Sequence, residues 1–476
     1  MKKIFKDSGI RIPKEFENSE FYKKIKKELT RRSKDYATST YITNEFYVED
    51  KDYLTIPRYF PIQDYIINNM DLMDINIDDI SNEGKDINIS HKIKFRNNLQ
   101  EKAADYMLNN NNGIIQLNPG VGKTVISIYM VCERKKKTII LVHKDYLANQ
   151  WYKRFLDHTN ISEDDIIRLN STNYKKAFQK SIIIITDQTF MSLVKRKKDE
   201  FLKELYNSNI GIFISDECHT TTGAPLFSKC SLYIPSKVNF GLSATPYRYD
   251  GNVDIIEFHL GPIFSDSSVE GTMKAKVTII AVDYLIDIPY RQKYIWWAGE
   301  FQKSRYLNLI KSSKPFLSIA KGLLNKFKDN KKILFVSERI KLIDDMYKWI
   351  DTDSKGKFVG GSKDEELNEK IIFSTPGKIR DGVDVPDIDC LIMTSPISNI
   401  KQMCGRVVRS NPDKDIPIII DMVDYGCNMI FNSIFNRLEY YESQEWDVQI
   451  LHSLKNNIIK INKDELFDLG NKNKKI

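Results

Sequence analysis

The chain has 476 residues, 41% hydrophobic and 29% charged, enough to bury the cores of about two to four domains. Its formal net charge of +8 suits a polyanionic partner, and its six cysteines, with no Cys-x-x-Cys pair, indicate neither a disulfide framework nor a zinc site, which points to a reducing compartment. No apolar run approaches the roughly 20 residues of a membrane helix, and none comes after the Met1-Lys2-Lys3-Ile4-Phe5-Lys6 start, so a soluble, cytoplasmic protein with no membrane partner is expected.

Residues 1–34 are rich in Lys and Arg, and Phe21, Ile25 and Leu29 form a narrow apolar stripe at helical spacing among the lysines. A solvated charged face accounts for such a helix as readily as a nucleic-acid contact does. Residues 45–90 turn acidic around Tyr53-Leu54-Thr55-Ile56-Pro57-Arg58-Tyr59-Phe60-Pro61, where Tyr53, Tyr59 and Phe60 are either a stacking face or a core. Residues 1–90 are read as a small N-terminal α+β domain, joined to the rest of the chain by a polar linker at Ser81–Lys85 that contains Gly84.

The run Ile114-Ile115-Gln116-Leu117 reads as a strand and leads into Pro119-Gly120-Val121-Gly122-Lys123-Thr124. Glycines there let backbone N–H groups close around phosphates, Lys123 neutralises them, and the Thr124 hydroxyl can complete a Mg²⁺ shell. Leu117 stands where the general pattern has its first glycine, so this stretch alone is compatible with an ordinary strand-to-helix turn. Further on, Ile212-Phe213-Ile214-Ser215 runs into Asp216-Glu217-Cys218-His219. Two adjacent carboxylates at a strand end give one ligand for Mg²⁺ and one acceptor to orient or deprotonate a water beside a γ-phosphate. Carboxylates also end strands as solvated caps, but both sequences in one chain, each in strand-then-turn context, indicate an ATPase.

Apolar runs continue at Thr138–Val142, Ser181–Ile185 and Val238–Leu242, then in a second series at Ile333–Val336, Lys357–Val359, Ile371–Phe373, Leu391–Met393 and Pro417–Ile420. Helix-length polar segments separate them, as expected for parallel strands buried on both faces. The expected fold class is α/β, two tandem parallel-sheet domains at 91–275 and 276–430, with only the first carrying a phosphate loop. Residues 431–476 are read as a C-terminal helical extension, with helical spacing over Phe431–Tyr441 and a fraying tail at Gly470–Ile476.

The order Lys123-Thr124, His143-Lys144, Asp216–His219, Ser243-Ala244-Thr245, Thr375 to Asp384, and Gln402-x-x-Gly405-Arg406-x-x-Arg409 resembles superfamily 2 helicases over roughly residues 91–425. Gly241–Gly251 resembles the XPB-type branch, which includes phage branched-DNA helicases and poxvirus transcript-release helicases. The Asn/Ile/Lys-rich composition suits an AT-rich viral or phage genome, which would place the protein in host cytoplasm, a virus factory or a virion.

The resemblance implies that the two α/β domains are RecA-like, that Lys123 binds phosphate, that Thr124 and Asp216 hold the metal, that Glu217 activates water, and that Gln402, Arg406 and Arg409 complete the catalytic set. Arginine fingers of this kind contribute about 10³ to 10⁵ in rate. Pro119, Gly120, Val121, Gly122, Gln100 and Asp384 would bind ATP, although Phe95-Arg96-Asn97-Asn98-Leu99-Gln100 lacks the Arg-Pro-Tyr-Gln form common in relatives. His219, Ser243, Ala244 and Thr245 would couple nucleotide state to movement. His143, Lys144, Ser337, Arg339 and Thr375 would touch a nucleic-acid backbone, and Asp381 and Gly382 belong to the same motif as Thr375. The expected cofactors are ATP and Mg²⁺. The expected partner is nucleic acid, DNA before RNA, forked, branched or in an R-loop, with residues 1–90 recognising it; transcription or replication proteins would be further partners of a monomer. Three rivals stand beside this reading: an RNA helicase, the motor subunit of a restriction-modification system, and a DNA-binding module that keeps only the ATPase shell.

Overall fold

The computed structural model describes residues 3–34, 41–67, 76–118, 120–244, 253–265, 273–288, 290–297, 300–380, 388–395, 397, 400–408, 415–454 and 457–472. The chain divides into two compact units, residues 1–270 and 271–476.

The first unit begins with a five-stranded sheet in the order Val48–Glu49, Tyr53–Ile56, Ile10–Pro13, Lys3–Lys6, Asn76–Asp79. Ser19 caps the helix Glu20–Glu28, its hydroxyl accepting from the Tyr22 amide at 3.2 Å, and the helix buries Phe21, Tyr22 and Ile25, the stripe that its spacing predicts. This small core is not closed on itself. Ile255, on the helix Val253–Leu260, completes it, and the Phe60 ring meets Phe258 edge-on at 5.2 Å. Phe60 is therefore core; Tyr59 is half-buried under Lys6 and Tyr53 half-buried under Arg11.

Residues 82–92 are not the free linker that their polarity predicts. They form a strap bonded to the segments that lead into successive strands: Asn82 to Pro235 and Lys237, Lys85 to Asn209 and Lys137, Ile87 to Lys135, and Ser90 and Lys92 to Asn160 and His158. Gly84, at φ +89°, lies so close to Gly211 that a Cβ would sit 2.5 Å from its Cα. The strap thus crosses the edge of the next sheet where its strands begin, which leaves the opposite edge open for ligands.

That sheet has seven parallel strands in the order Ile166–Leu169, Ile182–Thr186, Thr138–Val142, Ile212–Asp216, Val238–Ser243, Asn112–Gln116, Ile263–Ser265. Alternate residues of one strand feed two cores: Ile140 and Val142 join Trp151 and Phe155 on one face, Ile139 and Leu141 join Phe190 and Phe201 on the other. Helices on both faces explain the unbroken apolar runs.

The second unit is a sheet of eight strands, Lys355–Phe358, Ile371–Ser374, Ile333–Val336, Cys390–Met393, Ile418–Asp424, Lys276–Val282, Asp447–Leu454 and Asn457–Ile461, parallel except for the last pair. The C-terminal helices Ser433–Ser443 and Lys463–Lys472 are present, but the two strands between them belong to the sheet, so residues 431–472 are part of this unit and not an appendage. The buried Arg437 side chain forks onto Asp421, Nε to Oδ2 at 2.8 Å and Nη2 to Oδ1 at 3.2 Å, and Tyr441 donates to the same carboxylate at 2.9 Å, which fixes the helix 433–443 to the sheet.

Candidate nucleotide site

Three neighbouring strands of the first sheet end side by side, with Gln116 in register with Ser243 and Leu242 with Asp216. Residues Gly120–Gly122 lead into the helix Lys123–Arg134. Gly120 and Gly122 have φ of +88° and +98°, the left-handed backbone that forms an anion-binding nest at a helix start. The Lys123 ammonium folds back onto the Leu117 carbonyl at 2.8 Å. Gln100 is buried and its amide is already engaged: Oε1 accepts from the Arg96 amide at 2.8 Å and Nε2 donates to the Val121 carbonyl, so it braces the loop from behind. Its second N–H and the second lone pair of Oε1 are what Gln100 retains for the nucleotide contact that the motif resemblance implies.

Asp216 ends its strand buried, with Oδ1 accepting from the Glu217 amide at 3.0 Å and Oδ2 from the Trp151 indole at 2.7 Å. Burial and then the neighbouring Glu217 charge push its carboxyl up to about 6. Glu217 takes φ +46°, a left-handed conformation that costs an L-residue about 1–2 kcal/mol and turns the chain sharply off the strand. Below the turn the Ser215 hydroxyl bonds Thr221 and Thr222 at 2.6 and 2.7 Å. Cys218 packs under Gly241, where a Cβ would lie 3.0 Å from its sulfur. His219 Nδ1 lies 2.9 Å from the Ser243 hydroxyl and 3.5 Å from Glu217 Oε2, so the carboxylate turn and the Ser243-Ala244 strand end are directly linked.

His143 is partly exposed and its Nδ1 is 2.7 Å from the buried Asp187 carboxylate, whose carboxyl is raised by burial. Lys144 precedes the helix Asp145–His158. In the second unit Ser337 is 1% exposed, its hydroxyl 3.3 Å from that of Ser395 and accepting from the Arg339 amide at 3.3 Å. The expected backbone contact by the Ser337 side chain is therefore corrected: it is a buried cap. Arg339 is half-buried and donates to the Ser304 carbonyl, and Thr375 is half-buried at a strand end. Arg406 is 4% exposed on the helix Lys401–Val407. Pro119, Thr245, Asp381, Gly382, Asp384 and Arg409 lie outside the described residues, as does the Gln402 side chain. Trp151 and Asp187 are the site residues that sequence reasoning misses; the one available signal is that a buried Trp N–H needs an acceptor.

Residues 86–248 match the family described as the res subunit of type III restriction enzymes. Over 468 residues the chain is 29% identical to a protein of Acanthamoeba polyphaga mimivirus described as an ATP-dependent RNA helicase, covering 93% of this chain and 85% of that one. Over 340 residues it is 23% identical to the helicase/translocase subunit XPB of general transcription and DNA repair factor IIH from Schizosaccharomyces pombe, covering 66% of this chain and 41% of that one. A Type ISP restriction-modification enzyme solved bound to DNA has a similar fold, at a TM-score of 0.51 and 17% identity over 86% of this chain and 35% of that chain. The matched domain and the helicase relatives together indicate an ATP-hydrolysing helicase of superfamily 2, with viral helicases and XPB among its homologues. Among the described residues no helix is long and apolar enough to cross a membrane.

Proposed function

We propose that this chain is an ATP-dependent DNA helicase or translocase that remodels branched DNA, R-loops or transcription complexes. The observation that carries the reading is the convergence of the glycine nest, Lys123, the Asp216-Glu217 turn and the His219–Ser243 link on the ends of three adjacent parallel strands. In this reading the nest and Lys123 hold the phosphates, and Glu217 accepts the proton of the attacking water. The residues present fit Mg²⁺: Asp216 and Thr124 offer hard oxygen donors, and the buried Asp216 carboxylate gains from a nearby cation. Mg²⁺, when bound, would neutralise charge on the β- and γ-phosphate oxygens. The His219–Ser243 bond gives Glu217 a path by which loss of the γ-phosphate is felt at the next strand end. Arg406 and Arg409 would serve as the fingers, and Arg409→Ala should lower turnover far more than ATP affinity.

DNA is preferred over RNA because the XPB relative is named for DNA repair as well as transcription. The RNA reading is favoured by one observation, the mimivirus relative described as an RNA helicase over 93% of this chain. One experiment separates them: ATPase rate of the full chain with single-stranded DNA, duplex DNA, forked DNA, RNA and an RNA–DNA hybrid. Stimulation by DNA, greatest on the fork, is the expected result. Stimulation by RNA alone would replace this reading with the RNA helicase, and no stimulation by any of the five would defeat a nucleic-acid motor.

A further inference from the structure

In the second unit, large apolar side chains that a monomeric fold would bury are concentrated in the stretch 286–297: Tyr290 is 77% exposed, Trp297 63%, Tyr294 43% and Trp296 41%, with Ile286 beside them. The rings stand on a fixed base. Ile295 is buried in the core of the unit, the Gln302 amide donates to the Ile295 carbonyl at 2.7 Å, and Trp296-Trp297 pairs antiparallel with Glu300-Phe301. Phe301 contacts Trp296 and Tyr306, and the fully buried Tyr306 donates to Asp424 at 2.8 Å. Consecutive strand residues face opposite ways, so Trp296 lies on the side of Phe301 while Trp297, 63% exposed, is held on the other, and the anchoring keeps the hairpin from collapsing onto its own core.

What the rings face is decided by charge. The Arg305 guanidinium lies 4.8 Å from the Trp297 ring and 5.7 Å from the Tyr294 ring. Along residues 286–314, Arg291, Lys293, Lys303, Arg305, Lys311 and Lys314 outnumber Asp287 and Glu300, with Lys303 paired to Glu338 at 2.9 Å. Protein-docking patches have cores depleted of lysine, whereas flat rings interleaved with cations are what successive bases and their phosphates require. Rings can reach base faces only where the bases are unpaired.

We propose that Tyr294 and Trp297, joined through Arg305, form a stacking platform for the unpaired bases of single-stranded nucleic acid, with Trp296 on the opposite face of the hairpin supporting it. It rests on the reading of the chain as a nucleic-acid motor and adds to it a contact that recognises the strand by its bases where the motor grips phosphate.

The test uses the full chain and fluorescence anisotropy at one salt concentration, with three labelled probes: oligo-dT of about 16 nucleotides, an abasic strand of equal length, and a blunt duplex. The parent should bind oligo-dT more tightly than the abasic strand, which keeps the phosphates and removes the bases. The Trp296→Ala/Trp297→Ala double variant should bind oligo-dT about 5- to 150-fold more weakly, from the energy of one stacked base, and bind the duplex like the parent. Trp297→Phe should retain most of the oligo-dT affinity, because a ring is enough to stack. A parent that binds oligo-dT and the abasic strand equally overturns the platform even if the double variant fails to fold. Equal weakening of the double variant on strand and duplex overturns it too, as does unchanged affinity for oligo-dT. A parent that binds none of the three probes overturns the motor reading itself, and so is distinguishable from failure of the platform alone.

Discussion

Trp151→Phe should damage magnesium use more than it damages the fold. The indole N–H is the donor that fixes Asp216 Oδ2, at 2.7 Å, and both side chains are buried. Phenylalanine keeps a ring among Leu147 and Phe155 but leaves a buried carboxylate oxygen without that partner, a loss of about 1–3 kcal/mol. The smaller ring leaves a void that adds about 1 kcal/mol. Either contribution lowers the melting temperature by several degrees, so stability alone decides nothing. The discriminating quantity is the Mg²⁺ concentration for half-maximal ATPase activity, because a group that only orients a metal ligand changes metal affinity by about 10- to 100-fold. The half-saturating Mg²⁺ concentration should rise by that factor, and turnover should recover substantially at saturating Mg²⁺. A variant that melts lower yet titrates with Mg²⁺ like the parent would refute the assignment of Asp216 as the metal anchor.

Lys123→Ala should nearly abolish ATP turnover, and Glu217→Gln should stop turnover while leaving Mg·ATP binding largely intact; a Glu217→Gln enzyme that hydrolyses at the parental rate removes Glu217 from the mechanism. Gly122→Ala places a Cβ 2.7 Å from Gln100 Nε2 at φ +98°, so it should weaken ATP binding by at least tenfold, about 1.4 kcal/mol, measured by equilibrium titration; parental affinity would show that the loop is not the phosphate cradle. Asp424 is buried, and burial raises its carboxyl from 3.8 to about 7, so folding favours its protonated form: its contribution is present below pH 4, is lost as pH rises to about 7, and is constant above that. Asp424→Asn cannot ionise, so its melting temperature relative to the parent should climb between pH 4 and pH 7; a difference that stays level across that range counts against the buried carboxyl.

How much of the fold and site is legible in the sequence depends on how local the determinant is. The strands at Thr138–Val142 and Ile333–Val336 read to the residue because both faces are covered and every position after the β-branched Thr138 is apolar. Ile166–Leu169 and Asn457–Ile461 do not, because they are edge strands, short or exposed, and their burial patterns carry no period. Lys276–Val282 is as apolar as the strands that can be read, but it lies at a domain boundary set by motif spacing, and that placement hides it. The glycine nest and the paired carboxylates are visible as contiguous residues. Trp151 lies 65 residues before Asp216, on a helix whose Leu147, Ala148 and Phe155 mark it as ordinary core, and only the fold brings its N–H to the carboxylate. Ser337 departs from expectation for the complementary reason: its place in a motif order gives it one partner, while its burial, which the sequence does not state, gives it another.

The same distinction governs the N-terminal domain. Composition marks residues 1–90 as a separate piece, but the seam with the phosphate-loop sheet is built like an interior. Arg58 is 3% exposed and donates to the carbonyl of Asp7 on one side and to that of Ser236, 2.8 Å away, on the other; Arg31 pairs with Asp254 at 2.6 Å. Removing residues 1–90 would bare Ile255 and Phe258, take one of two donors from the Ser236 carbonyl and cut most of the strap, so ATPase loss after such a truncation would report a damaged sheet and say nothing of substrate choice. Substrate recognition by this domain is better tested by charge reversal at its surface, Lys23→Glu with Lys24→Glu on the outward face of the helix 20–28, where neither side chain is buried. If the domain grips a fork or an R-loop, unwinding of those substrates should fall several-fold while ATPase on simple DNA holds, and the loss should shrink as salt screens the parental contact. Equal activities in both assays would mean that this basic face is the solvated surface its composition allows, and that the domain serves to brace the sheet.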